Sequence, residues 1–303
     1  MLHVACAAEG SYDAHSAAML HSVVAHAEGL PVHVHYLHGP GYPRRSAEAI
    51  ERMLDEHGAR ASFVEIAPER IAGLPVDSLF TGAMWYRVFL PDLLPEVDRV
   101  LYLDVDTIAA DSLLPLWEMD LSGHYLAAVT NVLMPQHRDR PAALGLTGPE
   151  VYFNSGVLLM NLDEMRANGC TVALLEYARR MGSSIEWPDQ DALNVVLGRQ
   201  RLPLHPRWNS MNSLRFPWST DVFGAEAVRE ARARPAIRHF EGPDDNKPWH
   251  YMCTQDHAEL YFLHRRATPW PRLELVGRTP RNVARRLARA GRRRAGRLRR
   301  LSA

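Results

Sequence analysis

The hydrophobic positions of the chain change period from one segment to the next. Short stretches that alternate or run wholly apolar read as strands, and longer ones with apolar residues three and four apart read as helices. Leu2-His3-Val4-Ala5-Cys6 predicts a first strand, followed by the polar loop Glu9-Gly10-Ser11 and a helix from about Asp13 to Ala27, with Gly29 as its stop. Val32-His33-Val34-His35-Tyr36 alternates as a second strand. Its valines and Tyr36 share one face, which leaves His33 and His35 expected on the solvent side of an outer strand. Ser46 to His57 reads as a helix and Ser62-Phe63-Val64-Glu65-Ile66 as a third strand. Such alternation of strand and helix predicts βαβ units, a parallel sheet and an α/β fold.

Phe80 to Leu94 then reads as one apolar helix with Arg87 in its middle, where a cation needs an acidic or phosphate partner. A structural salt bridge and a diphosphate contact both fit. Arg99-Val100-Leu101-Tyr102-Leu103 has the character of a buried parallel strand and stops at Asp104-Val105-Asp106. Ser112 to Leu121 predicts a short helix and Tyr125 to Asn131 a strand. Asn131 to Val151 is a long irregular stretch of the kind that binds acceptors or forms lids. Val151 to Asn161 is a strongly apolar strand with polar Asn154-Ser155-Gly156 inside it, the glycine allowing close backbone approach to a ligand. Leu162 to about Met181 predicts a helix. Asp189, taken alone, reads as the cap of a helix through Val196. Arg207-Trp208-Asn209-Ser210-Met211-Asn212 resembles a sugar-binding rim, Ala236 to Phe240 a last short strand, and Glu241 to Trp249 a turn-rich loop.

Composition narrows the class. A chain of 303 residues with 47% hydrophobic content can bury a large core. No run approaches the roughly 18 apolar residues that span a bilayer. The first residues lack a signal-peptide pattern, and the three cysteines, Cys6, Cys170 and Cys253, fit neither a disulfide framework nor a zinc motif. A cytoplasmic location is expected. The zero net charge hides an asymmetry: Gly277 to Ala303 holds eleven arginines and no acidic residue, while the rest carries 35 acidic against 24 basic side chains, a net of −11. Residues 1–276 therefore read as one catalytic domain and 277–303 as an Arg-rich amphipathic or disordered tail. Lys247 is the sole lysine.

The chemistry centres on Asp104 and Asp106. In extended backbone, positions i and i+2 point the same way, so the two carboxylates can converge on one object. At the carboxyl end of a strand in an open α/β sheet that object is normally a ligand. Oxygen donors suit Mg²⁺ or Mn²⁺, which in turn hold phosphate oxygens. The strand–loop–helix opening is nucleotide-binding in style but lacks Gly-x-Gly-x-x-Gly. Tyr12 at its edge fits either a base-stacking role or plain packing.

From Leu2 to Leu263 the chain resembles family-8 glycosyltransferases, the group that includes bacterial lipopolysaccharide galactosyl- and glucosyltransferases and glycogenin. The motifs that carry the resemblance occur in order: Ala7 to Tyr12, Tyr86-Arg87, Val100 to Asp106, Tyr152 to Leu162, Asp189 to Asn194, and His239 to Pro243 followed by Lys247-Pro248-Trp249. The resemblance implies a GT-A fold: a single Rossmann-like, mostly parallel sheet flanked by helices. It also implies a UDP-hexose donor, a bound Mn²⁺ with Mg²⁺ as substitute, and transfer with retained anomeric configuration to a glycan, glycolipid or small-molecule hydroxyl. Under it, Asp104, Asp106 and His239 are the metal ligands. Ala7, Glu9 and Tyr12 fall where uracil is held, and Val105 lies within the same motif. Arg87, Asn154, Asp189 and Gln190 fall around the sugar, and Gly242 and Lys247 on the diphosphate. Asp189, Gln190 and Lys247 are the expected catalytic residues. Glu9 stands where the family usually has Asp, the Gly242–Lys247 loop is about two residues longer than usual, and Asn131 stands where relatives often carry a carboxylate near the acceptor.

Two other functions share parts of this pattern: a sugar nucleotidyltransferase, and a non-catalytic UDP-sugar-binding module anchored by its tail. The first normally needs a glycine-rich, lysine-containing N-terminal loop, which is missing here. For the tail, Ala284, Leu287, Ala288, Ala295 and Leu298 can share one side of a helix, weakened by Gly291 and Gly296. Attachment to the inner face of an anionic membrane, a solvated disordered segment and, last, a nucleic-acid contact are the readings.

Overall fold

In a computed structural model, which describes residues 1–9, 12–76, 81–147, 152–272 and 274–289, a seven-stranded sheet organises the chain. Its strands are β1 (Leu2–Ala8), β2 (Val32–His38), β3 (Arg60–Glu65), β4 (Arg99–Leu103), β6 (Leu126–Thr130), β7 (Phe153–Asn161) and β8 (Arg201–Pro203). The order across the sheet is β3-β2-β1-β4-β7-β6-β8. All pairs are parallel except those of β7, which runs antiparallel to both β4 and β6. A second, two-stranded ribbon joins β5 (Thr107–Ala109) to β9 (Ile237–His239).

Both faces of the sheet are covered, and the sequence shows why. Val4, Cys6, Leu101, Leu103, Val157 and Leu159 belong to one buried cluster, while Ala5, Ala7, Val100, Tyr102, Leu158 and Met160 belong to another. Alternate residues of one apolar run thus feed opposite layers, as the two-residue period of a strand requires. Leu20 and Val23 from α1 (Asp13–Ala25) and Ile50 and Leu54 from α2 (Arg44–Asp55) close the first layer. Leu174 from the helix Cys170–Met181 and Leu193 from the helix Pro188–Leu197 close the second. This is the mostly parallel sheet with flanking helices expected of a GT-A fold.

Several sequence expectations are corrected. The segment expected to be one helix over Phe80–Leu94 is broken: Ala83–Tyr86 and Leu90–Leu93 are helical, with a tighter 3₁₀ turn at Arg87–Phe89 between them, and residues 77–80 lie outside the described ones. Pro91 explains the break, because it lacks an N–H and its ring crowds the carbonyl four residues back, that of Arg87. The helix expected over Leu162–Met181 divides at Gly169, whose φ of 61° is left-handed. Asn161 caps the first half by accepting from Glu164 N–H at 3.2 Å. The helix at Ser112–Leu121 shrinks to Leu114–Trp117. β2 is an inner strand, and His35 is buried rather than solvent-facing. The 131–151 stretch holds a 3₁₀ turn, Pro135–His137, and a helical turn, Arg140–Ala143.

Candidate active site

β4 ends at Leu103, and the two aspartates follow it in a turn. Asp104 N–H donates to Gly156 O at 2.8 Å, and Asp104 O accepts from both Thr107 N–H (3.1 Å) and Thr107 Oγ1 (2.7 Å). The carboxylates therefore converge through a turn, and the extended backbone assumed from the sequence is absent. The chain re-enters a strand at once as β5, whose register sets Thr107 opposite His239, while Phe240 N–H donates to Asp106 O at 2.9 Å. That ribbon carries the imidazole to the carboxylates across more than a hundred residues of sequence. His239 Nε2 lies 3.3 Å from Asp106 Oδ1 and 3.9 Å from Asp104 Oδ2. Burial works against a charged imidazole here, but Asp106 and Asp104 outweigh it and raise the His239 pKa.

The three side chains fit a divalent cation. Their ligand atoms lie within 4.8 Å of one another, and cis ligands about 2.1 Å from an octahedral ion stand about 3 Å apart. The imidazole is also held in the correct orientation. Its Nδ1 lies 2.9 Å from Asn209 Oδ1, an atom that can only accept, so Nδ1 carries the proton and Nε2 faces the carboxylates. Asn209 is in turn oriented by donating through Nδ2 to Asn154 Oδ1 at 2.8 Å, and is fully buried. The segment read as a sugar-binding rim is corrected in part: Trp208 and Met211 pack in the core and Asn209 lies beneath the site, while Asn212 lines the larger cavity.

Arg87 braces the centre from the other side. Its guanidinium, 3% exposed, pairs with Asp104 Oδ1 at 3.0 Å and Asp189 Oδ2 at 3.4 Å, donates to Ser155 O at 2.5 Å, and lies 4.3 Å above the Tyr102 ring. The structural salt bridge, one of the two partners expected of it, is present. Asp189 does not cap its helix. Trp187 occupies the cap position, and Asp189 turns inward to Arg87 and Ser155 Oγ. Burial raises its pKa, and Arg87 only partly offsets this. Its Oδ1 is buried with no hydrogen-bond partner among the described residues, and Asp189 lines the larger cavity of the site.

Gln190 and Asn154 are bound together. Gln190 Oε1 accepts from Asn154 Nδ2 (3.2 Å) and Ser155 N–H (3.1 Å), and Nε2 donates to the Tyr152 hydroxyl (3.2 Å). Tyr152 passes the chain on to Asp191 Oδ1 at 2.6 Å, and Asp191 pairs with Arg140.

Two adjoining cavities meet at the aspartates. The larger, of about 800 Å³, is lined by Asp104, Asp106, His239, Asn154, Asp189, Gln190 and residues Asn131 to Met134. The smaller, of about 310 Å³, is lined by Ala7, Glu9, Tyr12 and Val105. Arg87, Gly242 and Lys247 line both. Tyr12 stands edge-on to Trp249 with centroids 6.3 Å apart, and Glu9 accepts from the Tyr86 hydroxyl at 2.7 Å; Gly10 and Ser11 lie outside the described residues. Lys247 Nζ sits 2.5 Å from Asp106 Oδ2 and donates to Phe240 O at 2.9 Å. Burial penalises the Asp106 carboxylate, but Lys247 and His239 more than compensate and hold its pKa well below the ordinary range.

A GT-A sheet with two aspartates following β4 and a histidine brought to them by the β5–β9 ribbon, where two cavities meet, has the make-up of a sugar-transferring class of protein. Residues 3–253 match the model of the family described as glycosyl transferase family 8, and the chain belongs to that family. It is 26% identical over 276 residues to general stress protein A of Bacillus subtilis (strain 168), covering 89% of this chain and 95% of that one. Lipopolysaccharide 1,2-glucosyltransferase of Escherichia coli (strain K12) is also 26% identical over 227 residues, with 74% of this chain matching 65% of its length, just under two thirds. Among solved structures, galactosyltransferase LgtC in complex with donor and acceptor sugar analogs superposes with a TM-score of 0.78 at 26% identity, over 88% of this chain and 96% of that one.

Proposed function

We propose that the chain is a Mn²⁺-dependent, retaining hexosyltransferase that moves glucose or galactose from a UDP-sugar to a hydroxyl of a cell-surface glycan or glycolipid, such as lipopolysaccharide. The observation that carries this is the junction. Asp104 and Asp106 line both cavities, one of a size for a nucleoside and one for a hexose with its acceptor. A diphosphate linking the two would pass over the three metal ligands and beside Lys247. The names of the glucosyl- and galactosyltransferase relatives support a hexose and a glycan acceptor.

A divalent ion held by Asp104, Asp106 and His239 would neutralise the charge that grows on UDP as the sugar–phosphate bond breaks. Lys247 adds a second, fixed positive charge at that place, which favours the transition state over the ground state. Arg87 pairs with both Asp104 and Asp189 and holds the two carboxylates in place, and Asp189, which lines the larger cavity, positions the donor sugar. Gln190, locked by Asn154, Ser155 and Tyr152, offers a neutral amide to the sugar's far face. An amide is a poor nucleophile, so transfer proceeds on the front face, with the departing phosphate oxygen taking the acceptor's proton. The eleven-arginine segment from Gly277 onward supports attachment to an anionic membrane surface. Its residues 280–289 are helical and are held to the domain by Arg286, which donates to Tyr251 O at 2.7 Å; residues 290–303 lie outside the described ones.

The test is UDP release from a panel of UDP-sugars with Mn²⁺ and with chelator. Release from UDP-glucose or UDP-galactose that is lost on chelation supports the assignment. No release from any UDP-sugar would overturn it.

A further inference from the structure

Far from this site lies a second constellation of metal-binding character. His3 on β1 and His33 and His35 on β2 project from the same face of two paired strands, in register His3↔His33 and Ala5↔His35. His3 is six residues back along β1 from Glu9, about 20 Å at the rise of a strand. One ring nitrogen from each histidine lies within 4.8 Å of the others. His3 Nδ1 and His35 Nε2 are 2.9 Å apart, and the His33 and His35 ring centroids are 4.2 Å apart. His33 Nε2 is tied to Ser62 Oγ at 2.8 Å, while its Nδ1 is buried with no partner.

Three imidazoles crowded in this way normally separate into pairs with water or carboxylate acceptors. Here they face one another, and one buried nitrogen has no partner among the described residues. From this geometry we infer that His3, His33 and His35 form a three-imidazole site for a d¹⁰ transition-metal ion, Zn²⁺, independent of the sugar-transfer centre. Two imidazole nitrogens on tetrahedral zinc at about 2.0–2.1 Å stand about 3.3 Å apart. The His3–His35 pair therefore needs to open by only a few tenths of an ångström.

The proton now shared between His3 Nδ1 and His35 Nε2 moves to the other nitrogen of the ring that carries it, so zinc replaces a hydrogen bond without net proton release. In the metal-bound form Ser62 Oγ, 2.8 Å away, accepts the Nε2–H of His33, which leaves Nδ1 as the ligating lone pair and supplies the outer partner that a metal-bound histidine requires. Burial lowers the pKa of all three rings, His35 to about 3, which keeps them neutral and able to ligate at neutral pH. The amino terminus and Arg60 oppose a bound cation and Asp98 favours it. His3 and His33 are half-buried, so an ion reaches the cluster from solvent. Three neutral nitrogens with no carboxylate among them select zinc over the Mn²⁺ or Mg²⁺ suited to oxygen donors. Bound there, zinc would clamp β1 to β2.

The experiment uses the full chain with ZnCl₂ alone, by calorimetric titration and thermal unfolding, beside three variants: His35→Asn, the half-buried His3→Asn, and Asp104→Asn at the other centre. The wild type is expected to bind one zinc more than His35→Asn or His3→Asn, and its melting temperature to rise with zinc while theirs does not. Asp104→Asn is expected to keep the additional equivalent. Substituting Co²⁺ in that variant should give the intense visible bands of a tetrahedral nitrogen site. Should His35→Asn fail to fold, His3→Asn reads the same difference at a position with little packing to lose. Identical zinc stoichiometry and melting shift in wild type and His3→Asn would overturn the inference, as would loss of all zinc binding in Asp104→Asn.

Discussion

Gly156→Ala tests how tightly the centre is built. A Cβ added at Gly156 would stand 2.3 Å from His239 Cε1, 2.7 Å from Asp104 Oδ2 and 3.0 Å from His239 Nδ1. Carbon atoms in contact settle at about 3.5–4.0 Å, so the imidazole has to withdraw by at least about 1.2 Å. The backbone on the β4 side resists yielding instead. Gly156 lies within β7, beside the Leu103↔Val157 pair with β4, and its carbonyl receives Asp104 N–H at 2.8 Å. Withdrawal by that amount stretches the 2.9 Å contact of His239 with Asn209 toward the limit at which a hydrogen bond is lost. The methyl group thus acts on His239 and on the residue that orients it together. Overpacking of this kind costs about 1–3 kcal/mol of stability, and a catalytic group displaced by about 1 Å costs about a hundredfold in rate. The assay is UDP release at saturating Mn²⁺, with thermal unfolding in parallel. The expected result is a folded protein with a lowered melting temperature and activity down about a hundredfold. Activity within twofold of wild type would mean that the close packing of His239 and Asp104 on Gly156 is not required.

Asn209→Ala removes the acceptor that fixes the imidazole of His239, and loss of such a partner weakens metal affinity about 10–100-fold; Mn²⁺ titration of activity checks this, and an unchanged midpoint refutes it. Burial pushes the pKa of His35 to about 3 and of His264 to about 4. The unfolded chain binds protons there below about pH 6.5 that the folded protein refuses, so these groups cost stability as pH falls from 6.5 toward 4 and cost nothing above it. The slope is at most about 1.4 kcal/mol per pH unit for each, less where water reaches the ring. Melting curves at pH 7.5 and 5.0 read it, and equal midpoints would contradict it. Truncation after Arg289 removes six of the tail arginines while keeping Arg286 on Tyr251; it should reduce binding to anionic vesicles at least tenfold without altering turnover of a soluble acceptor, and unchanged vesicle binding would rule out the anchor.

The regular parts of the fold were legible because period follows burial. The wholly apolar runs at Val100–Leu103 and Val157–Met160 announce strands covered on both faces, and they are. Such a run looks the same in either direction, however, so the reversal of β7 was invisible. The breaks at Arg87–Phe89 and Gly169 did carry a local signal, Pro91 and the glycine itself, which the apolar spacing overrode. At the site, Asp104 and Asp106 announced themselves by standing at the end of a buried strand, and Arg87 by needing an anion. Its partners could not be read, because Asp104 and Asp189 meet it only where β4, β7 and the helix Pro188–Leu197 come together. The role of His239 came from family resemblance alone, since its strand was legible but three-residue β5 was not, and nothing in the sequence pairs the two. Asn209 was missed as a positioning residue. In a loop rich in Trp, Asn, Ser and Pro a buried amide looks no different from an exposed one.

The central claim is that one cation sits among Asp104, Asp106 and His239 where the two cavities meet. Crystals grown with MnCl₂ and UDP, measured at the manganese absorption edge, address it most directly. The account predicts one strong anomalous peak within about 2.3 Å of His239 Nε2 and of an oxygen from each carboxylate, with the diphosphate on its open side. A peak elsewhere, or an imidazole of His239 turned from both carboxylates with UDP bound, would contradict it.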